Sequence, residues 1–118
     1  MSDLLETYEW AGNSYKRMAG TDGWVEVARL GDQGGYDWCD FNAFYSPLTR
    51  RYFWHGAAGC SCNSWQDDLE SVDDFENGDR AALLRAWEAF AKLHHYTIHV
   101  TEYTHGVTTI KNFEEPNV

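Results

Sequence analysis

The residues best suited to chemistry lie in and after one short aromatic stretch. This stretch is Tyr52-Phe53-Trp54-His55, and a glycine-bounded loop that carries Cys60 and Cys62 follows it. Cysteine thiolates and histidine imidazoles are the ligands of structural zinc sites, which are usually tetrahedral with four ligands. The stretch and the loop after it therefore offer three candidate zinc ligands: His55, Cys60 and Cys62.

Cys39 becomes a fourth ligand if its strand pairs with the strand of His55 in one particular register. Pairing Tyr45 with Arg51 across a five-residue loop makes Cys39 and His55 diagonal neighbours on one sheet face. A slip of one residue would place them on opposite faces. A single C-x-C is also a weaker motif than paired C-x-x-C knuckles. Without a metal, Cys39 is a small buried apolar residue and the loop packs its thiols under the aromatic layer.

A second chemistry that these residue types allow is nucleophilic catalysis. Cys60 or Cys62 would act as the thiolate, His55 as the base, and Asp67 or Asp68 would orient the base. No spacing in the sequence favours this arrangement, because three cysteines and five histidines produce such combinations in any chain of this length.

The net charge of −10 is concentrated in one acidic segment between residues 67 and 79. This segment contains no Lys or Arg, whereas the rest of the chain has 12 acids and 9 basic residues. Its acids are Asp67, Asp68, Glu70, Asp73, Asp74, Glu76 and Asp79. A run of this kind either forms a solvated loop before a helix or occupies a basic groove on a partner. In the second case, we expect the first six of these acids to bind the partner.

Length and composition favour one cytosolic domain that spans residues 1–118. The 118 residues suit a single core, and the 16% aromatic content argues against disorder. The odd number of cysteines predicts reduced thiols or a metal rather than disulfides. No basic leader precedes an apolar run, and no apolar stretch is long enough to span a membrane. The acidic balance disfavours direct contact with nucleic acid or membranes.

Strand patterns cover most of the first half of the chain. A hairpin is predicted from two segments, Thr7–Trp10 and Ser14–Met18, with a short helix at Leu4–Trp10 as the alternative. Three further strands are predicted from alternating apolar residues. They are Trp24–Leu30, Tyr36–Tyr45 and Arg51–Gly56.

The clearest element is an amphipathic helix from Arg80 to His95 after a cap at Asn77-Gly78-Asp79. Tyr96–Tyr103 and Val107–Phe113 then read as a second hairpin. Residues 113–118 are predicted to be a flexible tail. Together these elements predict an α+β fold: an antiparallel β-sheet of about five to seven strands with one long amphipathic helix packed on one face.

Four short motifs resemble a family of small uncharacterised proteins of actinobacteriophages. They are Gly34-Gly35-Tyr36-Asp37, Phe44-Tyr45, Tyr52-x-Trp54 and Gly59-Cys60-Ser61-Cys62. The most specific is the G-C-S-C loop after an aromatic strand. The resemblance implies a phage origin and action in the host cytoplasm.

These observations predict a phage accessory protein that binds a host protein without catalysis. It would inhibit or modulate a host or defence factor, with the acidic segment as the candidate binding surface. The alternative is a small zinc-binding protein whose structural site is formed by Cys39, His55, Cys60 and Cys62. A cysteine hydrolase is the third and least favoured hypothesis.

Overall fold

The computed structural model of the protein describes residues 5–9, 14–32, 37–60 and 69–116. Within these ranges lie six strands, two α-helices and a short 3-10 helix at Val72–Asp74. The strands are β1 (Glu6–Glu9), β2 (Ser14–Arg17), β3 (Val25–Asp32), β4 (Asp37–Ser46), β5 (Arg51–Cys60) and β6 (Glu76–Gly78). The helices are α1 (Arg80–Leu93) and α2 (Val100–Asn112).

The main sheet has four antiparallel strands in the order β3-β4-β5-β6. β1 and β2 pair with each other as a separate two-stranded sheet, which confirms the predicted first hairpin. The strands predicted before and after Gly34 and Gly35 correspond to β3 and β4. Of the two inner strands, β4 is buried on both faces along nine of its ten residues.

Two apolar cores cover the two faces of this sheet. On the helix side, residues such as Leu30, Phe41 and Trp54 pack against Leu83 and Trp87 of α1 and Ile110 of α2. On the other side, aromatic residues of the sheet pack against the segments that flank it in sequence. The members of this second core are Leu5, Met18, Trp24, Trp38, Phe44, Phe53, Leu69 and Phe75.

Helix α1 confirms the clearest prediction from the sequence. Asp79 caps its N-terminus, since the carboxylate accepts a hydrogen bond from the amide of Ala82 at 2.8 Å. Leu83 and Trp87 are its fully buried residues. The helix ends at Leu93, two residues before the predicted end, which is the usual uncertainty at a helix terminus.

The predicted second hairpin is wrong, because residues 100–112 form helix α2. The β-branched residues of this segment favour strands by propensity. Gly106 and Ile110, however, are buried at a helical spacing. Three threonine hydroxyls also donate to carbonyls four residues earlier in the helix, so these polar groups are satisfied. Glu102 ties α2 to the sheet by accepting from the amide of Gly31 at 2.9 Å.

The predicted sheet of five to seven strands with one long helix is therefore also wrong. The described residues form a four-stranded main sheet and two α-helices. A turn and α2 replace the two strands expected between residues 96 and 113, and within the described residues the strands of the first hairpin pair with each other and not with the main sheet. β6, which pairs with Tyr52–Trp54, was not predicted, since three residues are too few to show a period.

The register between β4 and β5 also differs from the expected one by a single residue. Tyr45 pairs with Tyr52, and Ser46 pairs with Arg51. The connecting turn has four residues rather than five because Arg50 adopts a left-handed conformation (φ 57°) and its amide donates to the carbonyl of Ser46 at 2.8 Å. β5 also continues to Cys60, beyond the predicted end at Gly56.

The glycine at position 56 lets α1 lie close to this longer strand. A Cβ added to Gly56 would lie 2.7 Å from the Phe90 ring of α1 and 3.2 Å from the ring of Phe41. Gly56 is therefore required by helix packing as part of the strand.

Arg80 of α1 holds the C-terminal end of α2 against α1. Its guanidinium donates to three backbone carbonyls at the end of α2 and to one carboxylate. The acceptors are the oxygens of Ile110 (3.1 Å), Lys111 (2.7 Å) and Phe113 (2.9 Å), and Oε2 of Glu115 (3.0 Å). Charged donors suit the C-terminal carbonyls of a helix, which no intrahelical amide satisfies.

The same carboxylate accepts a hydrogen bond of 2.7 Å from the hydroxyl of Tyr52. This bond, followed by the one from Arg80, lowers the pKa of Glu115. Burial raises the pKa of Tyr52 well above its usual range, and the bond to Glu115 adds to this effect. Phe113 contacts Tyr45 and Tyr52. Residues 113 and 115 of the predicted tail thus contact the sheet.

We predict that Gly106→Ala destabilises the protein although it replaces a helical glycine. A Cβ at this position would overlap the indole ring of Trp87. Overpacking of this kind costs about 1–3 kcal/mol of unfolding free energy. Gly→Ala in an exposed helix position instead stabilises by about 1 kcal/mol. Chemical denaturation measures whether the substitution lowers or raises the unfolding free energy.

The matched control is Thr108→Ala on the exposed side of the same helix. It should change the unfolding free energy by less than about 0.5 kcal/mol. A Gly106→Ala variant as stable as the parent protein would contradict the close packing of α2 on Trp87.

Candidate functional site

The structure separates the predicted zinc ligands. Cys39 is buried in the core on the helix side of β4, and its partner on β5 is Ala58. His55 pairs with Asn42 and therefore lies on the opposite face, where its ring centroid is 6.3 Å from that of Phe75. The one-residue difference in register is the cause of this separation.

Cys60 is exposed at the end of β5 and shares the face of Cys39, as its diagonal neighbour. Cys62 lies outside the described residues. No group of three or more His, Cys, Asp or Glu side chains within residues 5–9, 14–32, 37–60 and 69–116 is arranged to hold a metal ion. Zinc binding by the Cys60–Cys62 loop stays a prediction, and its ligand set does not combine Cys39 with His55 on one face.

The arrangement required for cysteine catalysis is not found at Cys60. His55 and Cys60 are five residues apart on one strand, so they lie on opposite faces of β5. Cys62 and the two expected orienting acids, Asp67 and Asp68, fall outside the described residues.

The described part of the acidic segment is folded against the sheet. Leu69 and Phe75 are buried, at 4% and 5% exposure, in the core opposite the helices. The Phe75 ring makes an edge contact with Trp24 at 5.1 Å between centroids. Between and beyond these anchors, the acids are exposed to solvent. We call the exposed acids of this region the acidic surface, which consists of Glu70, Asp73, Asp74, Glu76 and Asp79.

Backbone hydrogen bonds fix the segment between the two anchors. The amide of Val72 donates to the carbonyl of Ala19 at 2.8 Å, and Ala19 forms a parallel bridge with Ser71. The hydroxyl of Ser71 accepts from the amide of Asp73 in a capping box. The Asp74 carboxylate completes this box from the other side. The acidic surface is therefore an ordered element.

Three of the five acids have a structural role in addition to their charge. The carboxylate of Asp74 accepts from the amides of Glu70 (2.7 Å) and Ser71 (3.1 Å), and these two bonds lower its pKa. Asp79 caps α1, and Glu76 accepts from the indole of Trp54 at 3.1 Å.

Glu70 and Asp73 make no side-chain hydrogen bond or ion pair with the described residues. Arg51, beside this region, donates to the side-chain oxygen of Asn77 rather than to either of these acids, at 2.9 Å. Glu70 and Asp73 are consequently the acids whose charge serves no internal contact in the described part of the chain.

A buried polar cluster on β4 was missed by sequence reasoning. Asp40 and Asn42 are fully buried on the sheet face that also carries His55. Arg29 of β3 donates to Oδ1 of Asp40 at 3.2 Å, and the amide of Asn42 donates to Oδ2 at 3.0 Å. A buried carboxylate requires such partners. The available signal was the pair of polar residues at alternate positions of an otherwise aromatic strand.

One family model covers almost all of the chain. The model of a family described as Domain of unknown function (DUF7574) matches residues 13–115. The chain belongs to the DUF7574 family. The matched range contains the whole four-stranded sheet, both helices and the acidic surface of this DUF7574 member. No curated protein and no solved structure gives a significant match.

None of the helices that the structure describes in this DUF7574 member is both long and apolar enough to cross a membrane.

We predict that Asp74→Ala lowers the melting temperature at neutral pH by a few degrees, because two amides lose their acceptor. The pKa of Asp74 is lower in the folded state, so its stabilisation is present above the ordinary carboxyl pKa and is lost as the pH falls through the folded value. The difference from the parent protein should therefore shrink below about pH 4. Thermal melts across pH measure it.

Asp73→Ala is the control, since this neighbouring acid accepts no side-chain hydrogen bond from the described residues. It should leave the melting temperature nearly unchanged. Equal losses in both variants would contradict the capping role of Asp74.

Proposed function

We propose that this protein acts without catalysis, by binding a basic surface of another protein through its acidic surface. The observation that carries this proposal is the ordered backbone of Leu69–Phe75. It presents exposed carboxylates on a fixed frame, and no Lys or Arg occurs between residues 69 and 79. The proposal has a second part: the protein is encoded by a phage and acts in the host cytoplasm, where its partner would be a host or defence factor.

Fixed charges favour binding for two physical reasons. Complementary charge speeds encounter and excludes partners of the wrong sign. A surface that is already ordered loses less conformational entropy when it binds than a flexible acidic tail does. Leu69 and Phe75 keep this surface ordered, because their side chains are buried in the core on the sheet face opposite the helices.

The two acids best placed for a partner are Glu70 and Asp73. Asp74 and Asp79 are occupied in part by backbone amides, and Glu76 by an indole. A partner that pairs with Glu70 and Asp73 therefore breaks no internal contact in the described part of the chain.

The phage part of the proposal has a separate support. It rests on the resemblance carried by Gly59-Cys60-Ser61-Cys62 after the aromatic strand. The absence of catalysis is supported by the placement of His55 and Cys60 on opposite faces of β5.

We predict that the tagged protein captures a stoichiometric partner from a bacterial host lysate, and that capture weakens as salt is raised. The double variant Glu70→Gln/Asp73→Asn removes two charges and leaves the side chains that cap the backbone of this segment unchanged. Exposed ion pairs contribute about 0.2–1 kcal/mol each, so affinity should fall by roughly 2- to 30-fold. Quantitative capture at two salt concentrations measures both effects.

The matched control is Asp22→Asn/Glu26→Gln, which removes two exposed charges before and within β3. It should bind like the parent protein. The proposal fails if no stoichiometric partner appears at either salt concentration, or if the control variant weakens capture as much as the double variant does.

A further inference from the structure

A second candidate site lies at the other end of α1, where the chain turns into α2. A cavity of about 360 Å³ lies between the last two turns of α1, the connecting turn and the first turn of α2. Its volume is within the range of small-molecule sites, roughly 300–1,000 Å³. The cavity does not include any residue of the acidic surface.

The inner wall of the cavity is apolar and rests on the core. Ile98 is buried at 6% exposure, and Ala91 and Tyr103 pack against the helix-side core. The indole of Trp87 donates to the carbonyl of Tyr103 at 3.2 Å, which fixes the start of α2 relative to α1. A preformed apolar wall of this kind suits a hydrocarbon or aromatic group.

Three nitrogen-bearing side chains line the same cavity. They are Lys92, His95 and His99. Nδ1 of His95 lies 3.1 Å from the carbonyl oxygen of Lys92, which acts as the acceptor in this contact. The ring of His95 also contacts that of Tyr96 at 4.0 Å between centroids. His95 is thus held in place by two contacts.

The one carboxylate that lines the cavity is already neutralised. Glu88 forms an ion pair of 3.1 Å with Lys92. Both side chains are at least half exposed, so this pair contributes little and can open when another carboxylate approaches Lys92. His99 precedes α2 as its N-cap residue and makes no side-chain cap bond. Once this pair opens, Lys92 and the ring N–H of His99 can both donate to a ligand carboxylate, whereas a ligand cation would meet Glu88 alone.

We propose that this cavity binds a small amphiphilic carboxylate. The apolar part lies on Ala91, Ile98 and Tyr103, and the carboxylate meets Lys92 and His99. The site is independent of the protein-binding function proposed above, because the two share no residue.

The test uses octanoate as the probe, with octylammonium and octanol as ligands of matched chain length. Binding is followed by the amide chemical shifts of isotope-labelled protein. Octanoate should bind saturably with a dissociation constant on the order of 1 mM, as expected for a ligand of this size. The largest shifts should be at Ile98, Val100 and Tyr103, and both matched ligands should bind at least about fivefold more weakly.

Two variants identify the carboxylate contacts. Lys92→Ala and His99→Ala change exposed residues and should each weaken octanoate binding by about 3- to 10-fold, the usual range for one ordinary hydrogen bond. Arg85→Ala is the matched control, since it removes a positive charge from the exposed side of α1 away from the cavity. Its affinity for octanoate should equal that of the parent protein.

The following results would overturn the assignment. Octylammonium or octanol binds as tightly as octanoate, Arg85→Ala weakens binding as much as Lys92→Ala, or no saturable shift occurs up to about 10 mM octanoate.

Discussion

Strand β4 is buried on both faces, and this burial requires the sheet to be covered twice. Nine of its ten residues are buried. On one face, Phe41 meets the indole of Trp87 from α1 in an edge contact at 5.5 Å. On the other, Phe44 packs with Trp24 and Phe75. Helices supply the first cover and the segments around Trp24 and Phe75 supply the second, so neither cover can be lost without exposing an aromatic layer.

The order of the acidic surface follows from this requirement. Leu69 and Phe75 are needed as core residues on the face away from the helices, so the chain between them is pinned at both ends. Of the five residues between them, Val72 packs against the same core, and three of the other four are exposed acids. A capping box then supplies hydrogen-bond acceptors for backbone amides between these two buried residues. The charge that defines the proposed function is therefore displayed by an element that the core itself requires.

Local patterns sufficed to predict much of this fold, and contacts distant in sequence account for what they missed. The apolar residues of helix α1 recur with a clear 3.6-residue period after the Asp79 cap. In β3 to β5, apolar residues recur at alternate positions. The β4–β5 register depends on the left-handed Arg50, which no propensity indicates. α2 depends on the fit of Gly106 against Trp87, which is visible only in three dimensions. For the site, the acids were found as a run, but their fixed presentation depends on the burial of Phe75.

The central claim is that the acidic surface is an ordered part of the fold rather than a solvated loop, and amide hydrogen exchange tests it most directly. The amide of Val72 donates to Ala19 across the chain, and that of Phe75 donates to Val72. We predict that both amides exchange at least about 100-fold more slowly than those of an unstructured peptide. Exchange of Val72 and Phe75 at the unstructured rate, while the amides of β4 stay protected, would contradict the claim.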